Sequence, residues 1–336
     1  MNIGVIGYGY WGPNLVRNFN GLDDTTVTAV CDQRPERLEA VRKRYPGTSL
    51  LTRDANDLLM SPDVDAIVVA TPVSQHFPLG MEALSNGKHL FVEKPFTATV
   101  EQAERMIELA EQKNLRIMVD HTFVYTGAVE TIKKYIDDGK LGEMFYFDSV
   151  RVNLGLFQHD VNVIWDLAPH DVSIMDHLIM QQPRAIAATG VAHFDSGVEN
   201  IAYISTYYEN NLLGHIHVNW LAPVKVRRTL ISGSRKMIIY DDTEPSEKVK
   251  IYDKGIDVVQ SKDQLYDILI QYRTGDMLAP QIDLTEALSK IAREFYDAVN
   301  ESRPAKTDGF AGLRVVKILE AANRSIRNGG RVVELD

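Results

Sequence analysis

From residue 2 to about residue 120, short apolar runs alternate with stretches whose apolar residues recur at helical spacing. The runs fall at 2–6, 27–31, 66–70, 89–92 and 115–119; the helical stretches fall at 13–20, 35–45, 75–86 and 99–113. Pro13 and Pro35 stand at first turns, where a missing N–H is harmless, and Gly87 follows a helix end. Brief apolar strands separated by amphipathic helices predict βαβ units and a parallel sheet, an α/β domain over 1–120.

After residue 120 the pattern changes. One helix is expected at about 127–138, stopped by Gly139. Longer alternating runs follow at 143–153, 185–194, 201–207, 213–220, 227–232 and 236–241, which predict a mainly antiparallel sheet. Helical patterns at 284–300 and 308–328 close the chain, the second opening at Asp308 and ending before Gly329 and Gly330. A second, α+β domain is therefore expected over 121–336, with the last helix free to pack on the first domain.

Composition agrees with this reading and narrows the partners. The length of 336 residues suits two domains at roughly 150 residues each. A net charge of −10 with dispersed basic residues argues against nucleic acid or an anionic membrane, and RKRY at 42–45 is too short to change that. The single cysteine, Cys31, lies in an apolar run and reads as a small buried hydrophobe. With Met1 leading straight into NIGVIG and no apolar stretch of 18 residues, an intact N-terminus and a cytosolic protein are expected.

The candidate chemistry begins at Gly7-Tyr8-Gly9-Tyr10-Trp11-Gly12, a G-x-G-x-x-G directly after a strand and before a helix. Gly7 would permit the tight turn, Gly9 the approach of backbone to a pyrophosphate, and Gly12 the helix–strand contact, with helix N–H groups facing the anion. Tyr10 and Trp11 belong to the same loop. Asp32 follows Gly12 by 20 residues, at the end of the second strand, where its carboxylate suits ribose hydroxyls and repels a 2′-phosphate. NAD is therefore favoured over NADP. Arg34 could accommodate that phosphate, but beside Asp32 it is expected to stack on adenine or face solvent. The bland alternative, a glycine turn and a solvated acid, is opposed by the agreement of strand, helix, spacing and acid.

In open α/β sheets ligands sit beyond the carboxyl ends of the strands. The residues there are Thr71-Pro72 with His76, then Glu93-Lys94-Pro95, then Asp120-His121. A lysine in a water-poor site beside a positive nicotinamide would have its charged form disfavoured, which suits proton transfer in alcohol oxidation; a surface ion pair of Glu93 and Lys94 is the alternative. In the second half Asp166 and His170 stand four apart, on one face if the segment is helical. Asp166 could then orient His170 as a general base, or cap a helix beside a structurally satisfied histidine.

Together these residues resemble the glucose–fructose oxidoreductase / inositol dehydrogenase (Gfo/Idh/MocA) family over essentially the whole chain. The glycine loop, Ala70-Thr71-Pro72 with His76, Glu93-Lys94-Pro95, and the D-x-x-x-H pair Asp166 and His170 occur in the family's order. The resemblance implies a Rossmann domain followed by an open-faced antiparallel sheet domain, dimeric or tetrameric through that sheet. It also implies that Lys94 and His170 are the acid/base pair with Asp166 as accessory, and that Thr71, His76 and Glu93 line the cofactor. Arg151-Val152-Asn153, His121-Thr122-Phe123 and Tyr272-Arg273 are similar to members that oxidise C3 of UDP-N-acetylglucosamine or its uronic acid. That makes Lys94, His121, Arg151, Asn153, His170 and Arg273 candidate substrate contacts, the polar ones equally suited to structural roles.

A metal site at His215 and His217, or at His170, Asp171, Asp176 and His177, lacks any accompanying ligand motif, and hydride transfer to nicotinamide needs none. Phe145-Tyr146-Phe147 and Tyr207-Tyr208 read as core and interface material. The leading reading is an NAD-dependent dehydrogenase acting on a sugar or nucleotide sugar, with a free-sugar or inositol dehydrogenase behind it. A dinucleotide-sensing regulator would have lost Lys94 or His170, and another two-domain Rossmann enzyme would not account for both Glu93-Lys94-Pro95 and the D-x-x-x-H pair.

Overall fold

The runs and helices before residue 120 form a six-stranded sheet with every neighbouring pair parallel. Its strands β1 (Asn2–Ile6), β2 (Thr26–Cys31), β3 (Leu50–Thr52), β4 (Ala66–Val69), β5 (His89–Glu93) and β6 (Ile117–Asp120) lie in the order β3-β2-β1-β4-β5-β6. Between them run α1 (Gly12–Asn20), α2 (Pro35–Arg44), the one-turn α3 (Asn56–Leu59), α4 (His76–Ser85) and α5 (Val100–Gln112). Strand β3 and helix α3 were not expected, because three or four residues are too few to show a period. The strand order reverses beside β1, the point at which doubly wound sheets bind ligands.

The computed structural model describes residues 1–154, 161–194, 197–253, 255–259, 269–273 and 275–335, with 255–259 and 269–273 described by backbone alone. Beyond β6 come α6 (Gly127–Asp137), β7 (Met144–Leu154), α7 (Val163–Ile179), β8 (Ala185–Val191), β9 (Ile201–Tyr207), β10 (Leu213–Asn219), β11 (Leu221–Gly233) and β12 (Met237–Asp241). Strands β13 (Val249–Tyr252), β14 (Gly255–Val259), β15 (Leu269–Arg273) and β16 (Met277–Leu278) precede α8 (Ala287–Asn300), α9 (Gly309–Arg327) and β17 (Val333–Glu334). Nine of these strands form one sheet in the order β16-β13-β12-β11-β7-β10-β9-β8-β17, antiparallel throughout except where β10 runs beside β7. The fold is thus a Rossmann domain followed by a mainly antiparallel sheet domain, as expected. Strands β13 to β17 had not been read, being short or weakly alternating.

The alternation along β9 and β10 divides the sheet's two faces. Ala202, Ile204, Ile216 and Val218 are buried on the face that meets α7, where the Thr206 hydroxyl reaches Met175 Sδ at 3.5 Å. On the other face the Tyr203 and His217 rings stack with centroids 4.4 Å apart, and His215 Nδ1 lies 3.0 Å from Asp148 Oδ1. The two strand histidines are therefore occupied by a ring and a carboxylate.

The chain divides into two compact units, Met1–Tyr125 with Thr285–Glu320, and Thr126–Leu284 with Ala321–Asp336. A second domain over 121–336 was expected, with the last helix free to pack on the first; 121–125 and 285–320, which hold α8 as well as much of α9, belong to the first unit. Packing explains the return. Leu288, Ile291, Ala292, Phe295 and Ala298 recur at helical spacing on α8 and are buried in the first core, where Phe295 meets Phe19 and Phe91 edge to face at 6.0 and 5.6 Å. Burying one such ring is worth about 1.5–3 kcal/mol. Val124 and Tyr125 join the same core.

Candidate active site

The loop between β1 and α1 demands glycine twice for reasons internal to the protein. Gly7 has φ +99°, donates its N–H to Cys31 O at 2.8 Å, and any Cβ there would lie 2.4 Å from Ala70 O. A Cβ on Gly12 would lie 2.2 Å from Gly7 O. Gly9 differs: its Cβ would meet only Arg34 Nη2, at 3.7 Å, so protein packing does not exclude a side chain there. Helix α1 starts with Pro13 in its first turn and no side-chain cap; Asn14 N and Leu15 N donate to Trp11 O at 2.9 and 3.2 Å, and the positive end of the helix adjoins the glycine loop. Trp11 is half-exposed and Tyr10 is 85 % exposed, the two rings edge to face at 5.5 Å. These features fit the diphosphate of a dinucleotide.

Asp32 closes β2 with its carboxylate buried and fully engaged. Oδ2 accepts from Tyr8 N at 2.8 Å and Arg34 Nη2 at 3.2 Å, while Oδ1 accepts from Arg34 N at 2.9 Å and Nε at 3.1 Å. Burial opposes ionisation here, but the hydrogen bonds from Arg34 and from two backbone N–H groups outweigh it and hold Asp32 below the usual carboxylate range. Arg34, expected on adenine or facing solvent, is half-exposed and at the same time paired with Asp32, because the turn from β2 into α2 brings its guanidinium back onto an otherwise buried charge.

The ends of β4, β5 and β6 carry a dense polar cluster. His76, the first residue of α4, is buried with Nε2 2.9 Å from Thr71 O and Nδ1 2.9 Å from Pro95 O. It ties together the segments following β4 and β5 rather than presenting itself at the surface. Burial pushes its pKa down, although the carbonyl partners favour the charged form. Thr71 Oγ1 is buried and, among the described residues, has no hydrogen-bond partner.

Glu93 and Asp120 are register partners on the parallel strands β5 and β6, both buried. A hydrogen bond joins the carboxyls with Glu93 donating, and Thr122 Oγ1 donates to Asp120 Oδ1 at 2.6 Å. Burial raises both groups, Glu93 strongly, and the Asp120 charge raises Glu93 further; the Lys94 charge opposes both. Lys94 follows β5 directly, half-buried, before a cis bond to Pro95. Beside it His121 is 1 % exposed, its pKa pushed down to about 3 by burial and then by the charges of Lys94 and Arg314. Among the described residues neither ring nitrogen of His121 has a partner. Asp120, read only as a strand-end residue, and Thr122, read only within the resemblance, were given no site role, although acids ending two neighbouring strands are a readable signal.

In the second unit, Asp166 and His170 do lie four apart within one helix, α7, whose N-cap Asn162 accepts from Trp165 N at 3.2 Å. Asp166 Oδ2 accepts from Trp220 Nε1 at 2.9 Å, a partner the sequence reading did not identify. Arg151, read as a substrate contact, is buried against Asp171: Nε donates to Oδ2 at 2.5 Å and Nη2 to Oδ1 at 3.2 Å, with Ser149 Oγ also donating to Oδ1 at 2.8 Å. A buried acid on α7 facing an arginine on β7 gives that arginine a structural role. Asn153 sits half-buried near the end of β7. Arg273 is placed only by its backbone, in β15; its side chain lies outside the described residues. Among the described residues no three His, Cys, Asp or Glu side chains are arranged to hold a metal, and no helix is long and apolar enough to cross a membrane.

The chain is similar to proteins of known activity. The UDP-N-acetylglucosamine 3-dehydrogenase of Acidithiobacillus ferrooxidans is 26 % identical over 325 residues, covering 94 % of both chains. The myo-inositol 2-dehydrogenase of Thermotoga maritima is 22 % identical over 344 residues, covering 97 % of this chain and 96 % of its own. A levoglucosan dehydrogenase solved with NADH and levoglucosan shares the fold with a TM-score of 0.84 at 20 % identity, over 99 % of each chain. Residues 1–121 match the oxidoreductase family model with an NAD-binding Rossmann fold, and residues 129–239 match the Gfo/Idh/MocA C-terminal domain. The chain therefore belongs to the Gfo/Idh/MocA oxidoreductase family, and its first domain is an NAD-binding Rossmann domain.

Proposed function

We propose that the protein is an NAD-dependent dehydrogenase that oxidises a ring secondary hydroxyl of a sugar, with C3 of a UDP-N-acetylhexosamine or its uronic acid as the preferred substrate. The observation that carries the dehydrogenase reading is Lys94, set at the carboxyl end of β5 directly after the buried Glu93, in the sheet that also carries the glycine loop and Asp32. A bound nicotinamide supplies the hydride acceptor. The chain supplies Lys94 and His170 as the groups that exchange the hydroxyl proton, with Asp166 as accessory and His121 and Asn153 as substrate contacts. The nucleotide-sugar preference draws on the 3-dehydrogenase relative. A second reading, a free-sugar or inositol dehydrogenase, is favoured by the similar likeness to the inositol enzyme. Oligomerisation as a dimer or tetramer through the open face of the nine-stranded sheet belongs to the same proposal; Tyr203 and Leu213 on that face are exposed.

NADH absorbance across UDP-sugars, dTDP-sugars, free hexoses and inositols tests the substrate. Turnover of a UDP-N-acetylhexosamine without turnover of inositol is expected, and the reverse result refutes the preference. Lys94→Ala should lower kcat by about a thousandfold, the scale of general acid–base catalysis, while leaving NAD affinity within a few-fold of wild type. Substantial residual turnover would remove Lys94 from the chemistry.

A further inference from the structure

A buried tryptophan must place its indole N–H on an acceptor, because that group donates and cannot accept. Trp220, between β10 and β11, is 1 % exposed, and its Nε1 donates to Asp166 Oδ2 at 2.9 Å. Neighbouring backbone fixes both ends of this bond. Trp220 N donates to Asn200 O at 3.0 Å, and Val163 N, in the first turn of α7, donates to Glu199 O at 3.0 Å. The N-cap Asn162 adds Nδ2 bonds to Glu199 Oε2 and Asn323 Oδ1, each at 2.9 Å. Two successive residues before β9 therefore hold α7 and Trp220 in one register. His170 follows Asp166 by one helical turn, on the same side of α7. Between them stands Pro169, which has no N–H to give Trp165 O, so the helix lacks one rung of its own ladder at this turn.

We propose that Trp220 is a positioning residue for the acid–base machinery: its indole N–H locks the Asp166 carboxylate in one plane, so that Asp166 and His170 meet the reacting hydroxyl in a fixed geometry. The inference rests on the dehydrogenase reading, in which Asp166 is accessory to His170, and is independent of which sugar is oxidised. Rotation of an aspartate about Cβ–Cγ is a broad torsion with no sharp preference of its own. A donor carried on a ring packed in the core removes that freedom, and it does so at the turn where the proline weakens the helix's own restraint. Trp220 acts through Asp166 and keeps its proton throughout the reaction. A phenyl ring would fill much of the same space without fixing the carboxylate.

Two replacements in the full chain test this, assayed with the sugar that the wild-type protein turns over fastest. Trp220→Phe removes the donor and part of the ring. Benzothienylalanine at position 220 alone keeps the shape of the ring and puts sulfur where the N–H stood, so it decides the matter even if Trp220→Phe fails to fold. Both should lower kcat by about ten- to a hundredfold, the scale of a misplaced reacting group, with the sugar KM and the NAD dissociation constant within about threefold of wild type. In an Asp166→Ala background the isostere should change the residual rate by less than about twofold, because the bond it removes is already gone. A wild-type kcat in the isostere protein overturns the proposal; so does a loss seen only in KM, or a loss of equal size with and without Asp166. A wild-type protein that turns over none of the sugars refutes the dehydrogenase reading and this inference with it, whereas wild-type turnover unaffected by the isostere refutes the role of Trp220 alone.

Discussion

Arg34 grips both oxygens of Asp32, Nε on Oδ1 at 3.1 Å and Nη2 on Oδ2 at 3.2 Å. A carboxylate offers about four acceptor positions, and the backbone N–H groups of Tyr8 and Arg34 take two more. The guanidinium must therefore yield before Asp32 can accept from a ribose, and once displaced it is a cation placed for a 2′-phosphate. Arg34→Ala is expected to leave NAD affinity equal or improved while weakening NADP. Asp32→Ala should do the opposite, weakening NAD and relaxing discrimination against NADP. Dissociation constants for both dinucleotides decide the matter, and an unchanged preference in Asp32→Ala would refute its ribose role.

Arg151 and Asp171 form a buried pair, so their contribution is to stability. Arg151→Met should destabilise the chain by about 3–5 kcal/mol, since it leaves a buried carboxylate uncompensated, and Arg151→Met with Asp171→Leu should recover most of that loss. Denaturant unfolding of the three proteins measures it. A stable Arg151→Met protein whose only defect is a raised substrate KM would return Arg151 to the substrate site.

His76 bridges Thr71 O and Pro95 O, and as a neutral imidazole it donates to one of them. His76→Phe removes that donor and leaves one carbonyl without its partner, at about 1–3 kcal/mol. The expected outcome is lowered stability with NAD affinity falling in step, because the two tied segments loosen. A stable variant that loses only NAD binding would show instead that the imidazole touches the cofactor.

Glu93 is raised in the folded protein, chiefly by burial and then by the Asp120 charge. A raised acid contributes stability that is fully present below its unfolded pKa, about 4.3, and is lost as pH rises through the folded value. In Glu93→Gln the amide keeps a donor toward Asp120 and cannot ionise. The melting temperature of the variant relative to wild type should therefore climb between pH 5 and pH 8. A difference that stays constant with pH would show that Glu93 keeps one protonation state throughout.

Local pattern was enough for much of the molecule. Alternating runs and helical periods announced the parallel sheet, because a strand covered on both faces must be apolar along its length. The glycine loop was legible because Gly7 and Gly12 are demanded by contacts within their own βα turn and with the adjacent strand end at Ala70. The candidates Lys94, Asp166 and His170 stood out by type and position. Registers and partners were not legible in this way. That Glu93 faces Asp120, that Arg151 is neutralised by Asp171, and that Asp166 receives Trp220 depend on which strand or helix lies alongside, across separations of 20 to 54 residues. The return of α8 to the first core was hidden for the same reason: its apolar stripe shows that it must be buried, and only the surfaces left open by the folded units decide where. The sequence determined which residues can carry charge, protons and a dinucleotide; the tertiary structure decided which of those charges are already satisfied, because pairing is a property of neighbours in space.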